Sequence, residues 1–391
     1  MQQSMLPLAW AAIGLVLVAL LAAFAGPVLV PLAEAAAFVD PERGVSTPDE
    51  ALAGARDIIA EGLLSPTYHF RDRASQDLVA AFDLGTLAGE LRYPFVVQYE
   101  QYKLVDLILG LFGGKDGFEV RFATEVAGVT QADDHVAVTA RGPDGTETLR
   151  AAYLIGCDGG RSTVRKLAEI DFEGFTYPER FIKIGTYHDF TEGTGYVFRN
   201  FFSDPNEWCN LFKVRGKGPP GIWRGVFPTR LDETDAEALS PEGVEGRMQR
   251  FFPKSGKYEI AYRNIYEVHQ RVAATFAKGR VLLAGDAAHV NNPIGGMGLN
   301  GGIHDAVNLA GKLAPVWHGE AAAGTLDRYD RQRRPIAIEH VQAATLRNKE
   351  LLDESDPALR RRRQDDLSEI AADPVTARDY LLLTSMISAL R

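Results

Sequence analysis

The sequence predicts an α/β protein: a Rossmann-like nucleotide-binding domain, divided along the chain, carries an inserted, mostly antiparallel β-sheet domain and is followed by C-terminal helices. Two apolar strands end in glycine turns, at 153–160 and 280–286, as is typical of parallel nucleotide-binding sheets. Between them, residues 180–268 alternate short strand-like runs with proline-rich turns. The predicted pieces are 1–73, 97–180 and 269–318 for the nucleotide-binding domain, 74–96 and 181–268 for the inserted sheet, and 319–391 for the helical region.

The composition sets limits on the kind of protein. A chain of 391 residues with 46% hydrophobic residues can bury a full core. The formal net charge of −10 argues against broad electrostatic binding to nucleic acid. Cys157 and Cys209 form no CxxC pair and no metal-ligand cluster, so we expect two buried, reduced thiols, no metal site and a cytoplasmic location.

The N-terminal stretch has two interpretations. No charged residue precedes Glu34, and the apolar residues 8–26 are long enough to cross a bilayer, although flanking basic residues are missing. The same stretch fits a first strand–turn–helix–strand unit whose turn reads Ala9-x-Ala11-x-x-Gly14 instead of GxGxxG. Glu34 would then lie where an acid meets ribose hydroxyls. We prefer the buried unit, and membrane contact through 8–26 stays open.

The following elements are predicted from local patterns. Residues 48–64 are acidic and small-apolar and favour a helix, and 66–72 alternate apolar and polar residues as a strand does. Apolar residues at helical spacing predict a helix over 100–112. Residues 118–159 form a run of strands with a hairpin turn at Asp144-Gly145. Helices are predicted over 303–317 and 321–350 and in the tail.

The segment "GRVLLAGDAAHVNNPIGGMGLNGGIHDAVNLAGKL" carries the strongest functional signal. Its apolar strand delivers Gly285-Asp286 to a carboxyl end, where ligands bind in parallel sheets, and Asp286 can accept hydrogen bonds from sugar-alcohol hydroxyls. The following glycines let the backbone approach a planar ligand, and a helix start there points free N–H groups at it. A plain glycine-rich loop is the alternative.

These motifs carry a family resemblance. "GDAAHVNNPIGGMGLNGG" and "YLIGCDGGRSTVRK" resemble two motifs of the class A FAD-dependent aromatic hydroxylases of the para-hydroxybenzoate hydroxylase type. "EQYKL" resembles a flavin-contacting segment of the same family, and residues 205–229 resemble the branch that includes 3-(3-hydroxyphenyl)propionate hydroxylase. The resemblance covers roughly 26–391 and implies a glutathione-reductase-type FAD-binding domain with a substrate-binding sheet.

The resemblance also implies roles for individual residues. Asp286 would hold the ribityl chain, Gly296 to Asn300 would cover the pyrimidine edge of the flavin, and Pro293 would lie near its reactive face. Asp158 and Arg165 would organise the dinucleotide region; a helix cap near Ser162 and an exposed helix residue are the respective alternatives. The full cofactor-binding set is Gly14, Glu34, Arg43, Gln101, Val126, Asp158, Arg165, Gly285, Asp286, Pro293, Gly296, Met297, Gly298, Leu299 and Asn300.

The implied activity is hydroxylation of a phenolic compound with NAD(P)H and O₂ through a flavin C4a-hydroperoxide. No protein residue is assigned as the phenol base, and His289 is expected to be a packed, hydrogen-bonded side chain. Two other functions stay open: a remnant that no longer retains FAD because of the altered Ala9–Gly14 turn, and a membrane-anchored flavin oxidoreductase. The choice of nicotinamide and a homo-oligomeric state also stay open.

Overall fold

The computed structural model describes residues 28–31, 56–112, 119–294 and 296–387. Its strands are β1 Val28–Pro31, β2 Leu63–Ser65, β3 Thr67–Asp72, β4 Leu78–Asp83, β5 Val96–Gln98, β6 Glu125–Gln131, β7 Val136–Gly142, β8 Gly145–Gly156, β9 Phe172–Thr186, β10 Arg199–Ser203, β11 Cys209–Val214, β12 Ile222–Pro228, β13 Ile260–Ala273, β14 Ala277–Lys278, β15 Val281–Leu283 and β16 His289–Val290.

The helices follow the same order along the chain. They are α1 Gln101–Phe112, α2 Thr163–Leu167, α3 Asp235–Ala238, α4 Pro241–Phe251, α5 Met297–Trp317, α6 Asp327–Ile336, α7 Ala343–Asp353, α8 Pro357–Ala372 and α9 Pro374–Thr384. A π-helical segment, Ala337–Gln342, joins α6 to α7. None of the helices in the described ranges is long and apolar enough to span a bilayer.

The first sheet contains the two predicted apolar strands side by side. Its order is β14-β15-β8-β7-β6, with β1 paired to β8, and β15 runs parallel to β8 with Leu282 opposite Ile155. Both strands are fully buried over these residues because each is covered on both faces. The chain leaves β8 and β15 at the same edge, where the N–H of Ala284 donates to the carbonyl of Gly156 at 3.0 Å.

A tight hairpin joins β7 to β8. Gly142 pairs with Gly145, and the two residues between them, Pro143 and Asp144, make the turn. Gly145 has a φ of 123°, a conformation that favours glycine. The hairpin predicted at this position is therefore confirmed.

The second sheet is the predicted antiparallel layer. Its order is β16-β13-β9-β12-β11-β10-β3-β4, and only the β10–β3 pair is parallel. One face packs on α4 around Ile182, Trp223 and Phe251, all nearly inaccessible to solvent. Alternate residues of the same strands point the other way, toward a cavity. The α/β class, the mostly antiparallel second sheet and the C-terminal helices are confirmed, whereas the exact domain boundaries stay a prediction.

Two predicted helix boundaries are wrong. Within the described residues, the helix expected over 48–64 covers 56–61 and gives way to β2, which pairs with β5. Gly62 permits the change from helix to strand because it has no side chain: a Cβ at this position would lie only 2.2 Å from Val97 Cγ1 on β5. The helix expected from 303 begins at Met297, so several of the glycines lie inside α5. A Cβ on Gly302 would lie 3.2 Å from the Cα of Gly285, so helical glycine allows α5 to pack on the Gly-Asp turn.

Candidate active site

A cavity of about 1170 Å³ lies where the glycine-rich segment, the free face of the second sheet, the start of α1 and the end of α9 meet. Nine of the residues predicted to bind the cofactor line it together. They are Gln101, Gly285, Asp286, Pro293, Gly296, Met297, Gly298, Leu299 and Asn300. Residues far apart in sequence therefore converge on one site.

The Gly-Asp turn forms one wall. Gly285 has a φ of 61° and begins a short 3₁₀ turn directly after β15. This left-handed start turns the chain so that Asp286 faces the cavity. Its side chain is accessible from the cavity but otherwise surrounded by protein, and this burial raises the pKa of the carboxyl, an effect that His289 opposes. Such a carboxylate is best stabilised by ligand hydroxyls that donate to it.

A buried ionic network holds this turn from behind. Asp305 Oδ2 accepts hydrogen bonds from the N–H of Gly285 at 3.1 Å and contacts His289 Nε2 at 2.8 Å. Arg333 Nε donates to Asp305 Oδ1 at 2.7 Å, and its Nη2 donates to the carbonyl of Gly301 at 3.3 Å. Burial alone would raise the pKa of Asp305, but His289 and Arg333 outweigh it and the pKa is lowered. The network ties together the turn, α5 and α6.

Sequence reasoning missed Asp305 and Arg333. A signal for Asp305 existed, because it shares the buried face of α5 with Gly302 and Leu309 at helical spacing. No such signal pointed to Arg333, which lies in a run of basic residues on α6. The expectation for His289 is confirmed, since its ring is buried, hydrogen-bonded to Asp305 and stacked on Phe276 at 5.9 Å between centroids.

The start of α5 forms the second wall. Gly296 precedes the helix with a φ of 72°, and no heavy atom of the described chain lies within 4 Å of where its Cβ would be. No side chain of the described residues caps this helix start, so the N–H groups of the first turn remain available. The space that a Cβ would fill and the free N–H groups fit a flat, hydrogen-bonding ring edge such as that of a flavin. The flavin end of FAD therefore fits the residues present.

Asp158 and Arg165 lie beside the cavity and do not line it. The Asp158 carboxylate accepts from the N–H groups of Thr163 and Val164 at 2.7 and 3.0 Å, so its helix-capping role is confirmed. Its contact with a dinucleotide stays a prediction. The alternative of an exposed Arg165 is wrong, because the residue is only 4% exposed.

Arg165 instead joins the two motif segments. Its Nη1 donates to the carbonyl of Ala287 and its Nη2 to that of Gly160, both at 2.8 Å. The guanidinium lies 3.7 Å from the centre of the Phe172 ring. Burial lowers the pKa of Arg165, while Asp158 opposes this effect. Arg165 thus fixes the Gly-Asp turn relative to the end of β8.

The remaining predicted residues fall in two groups. Val126 is half-buried on β6, paired with Ala140, and it does not line the cavity. Gly14, Glu34, Arg43 and the apolar residues 8–26 lie outside the described residues. Cys157 and Cys209 are free and buried, as expected, and burial raises the pKa of the Cys157 thiol well above its usual range.

The free face of the second sheet forms the third wall, which the sequence reasoning did not resolve into residues. Aromatic side chains project from its strands, among them Tyr68, Phe181, Phe201, Phe212 and Tyr266. Lys183, Arg199 and Arg224 line the same wall. In stretches such as "RNFF" and "WRGVF", these residues alternate with core residues, and this alternation could have predicted which side chains face the cavity.

The chain matches known proteins over most of its length. The model of the FAD binding domain family matches residues 58–344. A para-nitrophenol 4-monooxygenase of Pseudomonas sp. (strain WBC-3) is 34% identical over 329 residues, covering 84% of this chain and 80% of that protein. A 3-(3-hydroxy-phenyl)propionate/3-hydroxycinnamic acid hydroxylase of Mycolicibacterium smegmatis is 36% identical over 239 residues, covering 60% of this chain but only 41% of that protein.

Solved structures agree with these relatives. The crystal structure of p-nitrophenol 4-monooxygenase from Pseudomonas putida DLL-E4 superimposes with a TM-score of 0.81 at 28% identity, covering 98% of this chain and 97% of that one. The fold, together with cavity walls that fit a flavin ring, is that of a flavoprotein oxidoreductase. The chain belongs to the FAD-binding-domain family and, within it, to the class A FAD-dependent aromatic hydroxylases. The FAD-deficient remnant and the membrane-anchored oxidoreductase are not favoured by these matches.

Proposed function

We propose that this chain hydroxylates a phenolic compound, with NAD(P)H and O₂ as co-substrates and FAD as cofactor. One observation carries the proposal: a single cavity is walled by the flavin-fitting Gly285–Asn300 segment and by the aromatic face of the second sheet. A flat cofactor and an aromatic ring can therefore lie next to each other. FAD, when bound, supplies the redox and oxygen chemistry.

The glycine-rich walls are proposed to hold the flavin end of the cofactor. Asp286 would accept hydrogen bonds from the ribityl hydroxyls, and Gln101 at the start of α1 would contact the same region. The N–H groups from Met297 to Asn300 would meet the pyrimidine edge, with Pro293 near the reactive face. Arg165 would support the dinucleotide region by fixing the end of β8 against the Gly-Asp turn, and Asp158 would do so by capping α2.

The aromatic wall is proposed to orient the substrate ring and to exclude water. Phe181, Phe201 and Tyr266 offer apolar and edge-on contacts to a ring placed between them and the flavin. Burial raises the pKa values of Tyr68 and Tyr266, so both phenols keep their protons at neutral pH. The Tyr266 hydroxyl can therefore donate a hydrogen bond to a substrate oxygen, whereas the Tyr68 hydroxyl is paired with Thr384 Oγ1 at 3.5 Å. The proposal places the reaction in the cytoplasm, which the two free cysteines support.

The test is oxygen incorporation by purified, FAD-loaded protein. We expect oxygen consumption that depends on NAD(P)H and rises with a phenol such as 4-nitrophenol, and a product that carries one atom from labelled dioxygen. Parallel runs with NADH and NADPH identify the co-substrate. A chain that binds FAD and oxidises NAD(P)H without ever labelling a phenolic product would overturn the proposal.

A further inference from the structure

A buried hydrogen-bond network lies directly behind the segment Asn291–Ile294. Gln270 on β13 accepts, at Oε1, a hydrogen bond from the main-chain N–H of Asn292 at 3.0 Å. Its Nε2 donates to Thr345 Oγ1 at 3.1 Å and to the carbonyl of Gln342 at 3.4 Å, and the Thr345 hydroxyl donates to the same carbonyl at 3.0 Å. The side chains at 270, 292 and 345 are all buried. The network therefore joins the segment to the end of the π-helical run and to α7.

The partners of Gln270 fix which way its amide points. The N–H of Asn292 needs an acceptor and the carbonyl of Gln342 needs a donor, so the reversed amide would present the wrong atom to both. Val268 and Val272, the neighbours of Gln270 on the same buried face of β13, fill their positions with apolar side chains. Gln270 thus interrupts an apolar face where the strand meets a main-chain N–H that would otherwise be buried without this acceptor.

The segment that Gln270 holds is part of the site. Asn291, Pro293 and Ile294 line the cavity. The N–H of Ile294 donates to Asn292 Oδ1 at 3.1 Å, and the N–H of Gly296 donates to the carbonyl of Pro293 at 3.0 Å. A shift of Asn292 is therefore passed on to Pro293 and to the residue that precedes α5.

Strand β13 also contributes to the aromatic wall. Tyr266, four positions before Gln270, lines the cavity on this wall. The strand is hydrogen-bonded to β9 along its length and to β16 at Arg271 and Val272, which makes it a stiff support. One strand thus carries a contact for the substrate ring and, through Gln270, the segment expected at the reactive face of the flavin.

The helical run from α6 through the π-helical segment to α7 supports two walls of the cavity. On α6, Arg333 reaches Asp305 behind the Gly-Asp turn. Beyond the π-helical segment, Gln342 and Thr345 hold the amide of Gln270. Single-turn π-helical insertions occur frequently at functional sites. Here the insertion lies between the residues that support the two walls.

We propose that Gln270 is a positioning residue, which holds the Asn291–Ile294 segment at the distance from the aromatic wall that hydroxylation requires. This inference rests on the proposed function, since the distance matters only if a ring and the flavin share the cavity. With the ring in place, NAD(P)H supplies two electrons, one oxygen atom of O₂ enters the phenol and the other leaves as water. With the ring misplaced, NAD(P)H, a proton and O₂ give NAD(P)⁺ and hydrogen peroxide instead.

Amide hydrogen exchange of the FAD-loaded protein tests the support of the segment without turnover. Gln270→Met keeps most of the side-chain length and removes the amide. The N–H of Asn292 should then exchange at least about fivefold faster, the scale of one buried hydrogen bond. FAD affinity should stay within about threefold, because Asp286 and the start of α5 keep their places. Exchange that accelerates evenly over all buried strands would mean a general loss of stability and would overturn the positioning role.

The fraction of NAD(P)H electrons recovered as hydrogen peroxide, measured with 4-nitrophenol, tests the consequence for the reaction. It should rise at least about threefold in Gln270→Met. Two variants of Thr345 separate hydrogen bonding from packing, because Thr345→Val keeps the shape without the hydroxyl and Thr345→Ser keeps the hydroxyl without the methyl group. The valine variant should raise the peroxide fraction and the serine variant should not. The opposite order would make packing the cause and would overturn the inference.

The matched control is Glu267→Met. Glu267 is exposed on β13 and does not line the cavity, so exchange, FAD affinity and the peroxide fraction should all equal those of the unaltered protein. Coupled hydroxylation by Gln270→Met, with an unchanged peroxide fraction, would contradict the inference alone. Faster local exchange in Gln270→Met, in a protein whose unaltered form never hydroxylates a phenol, would contradict the proposed function alone.

Discussion

Replacement of Arg333 by methionine tests how the flavin-binding turn is held in place. Arg333 is 2% exposed, and its two hydrogen bonds reach Asp305 and the carbonyl of Gly301. Methionine fills much of the same volume and removes both contacts, leaving Asp305 as a fully buried carboxylate that retains His289 and the N–H of Gly285. Removing one partner of a buried ion pair typically costs about 3–5 kcal/mol. The retained donors place the expected loss of unfolding free energy at the lower end, about 3 kcal/mol.

The same substitution should weaken FAD binding although Arg333 does not line the cavity. If the loosened turn adopts its binding conformation for only about a tenth of the time, the apparent affinity falls about tenfold. Urea unfolding and FAD titration measure the two effects, and Arg331→Met, on the exposed side of the same helix, is the matched control. An Arg333→Met protein with unchanged unfolding free energy and unchanged FAD affinity would refute the role of the network.

Three more outcomes are expected. Asp286→Ala should weaken FAD binding by about 1.5–3 kcal/mol, the value of a charge-assisted hydrogen bond, and a titration that finds no change would contradict its ribityl role. Gly298→Val should preserve the fold, since a Cβ there meets only Asn291 Oδ1 at 3.4 Å, and should abolish turnover by blocking the approach of the flavin to this segment. Normal hydroxylation coupled to NAD(P)H oxidation would contradict the placement of the flavin against Gly298. Folding lowers the pKa of Asp305, so the stabilisation that its carboxylate provides is present above the unfolded pKa of about 3.9 and is lost as the pH falls through the folded pKa. The free energies of unfolding of the unaltered protein and of Arg333→Met should therefore approach each other in acid. A difference between the two that stays constant with pH would refute this.

Features that depend on neighbouring residues in the chain were predictable from the sequence. The β7–β8 hairpin, the apolar strands β8 and β15 and the Gly285-Asp286 turn all follow from local patterns. The start of α5 was not predictable, because Gly298, Gly301 and Gly302 disfavour a helix locally, and the close packing of Gly302 on Gly285 compensates for this. The same limit applies to the C-terminal end of the helix predicted over 48–64, where pairing of β2 with β5 overrides local propensity.

Side chains of the site were predictable only where a motif marks them. Asp286 stands in a motif, whereas Asp305 and Arg333 meet through packing between two helices, 28 positions apart. The cations of the sheet wall were hidden for another reason. In the sequence, Lys183 and Arg224 resemble ordinary exposed strand residues. Only the order of β9, β12 and β13 in the sheet places both of them beside the ring of Tyr262.

The alternation of the second sheet separates what holds the protein together from what selects its ligand. Along β12, Trp223 and Phe227 pack beneath α4, while Arg224 and Val226 face the cavity. The same division holds on β9 and β11, so a substitution on the cavity face changes ligand contacts and leaves the opposite core intact. In evolution, or in a combinatorial library, single substitutions on the cavity face can therefore change which aromatic substrates bind, while the cofactor-binding segment and the core of the sheet stay constant.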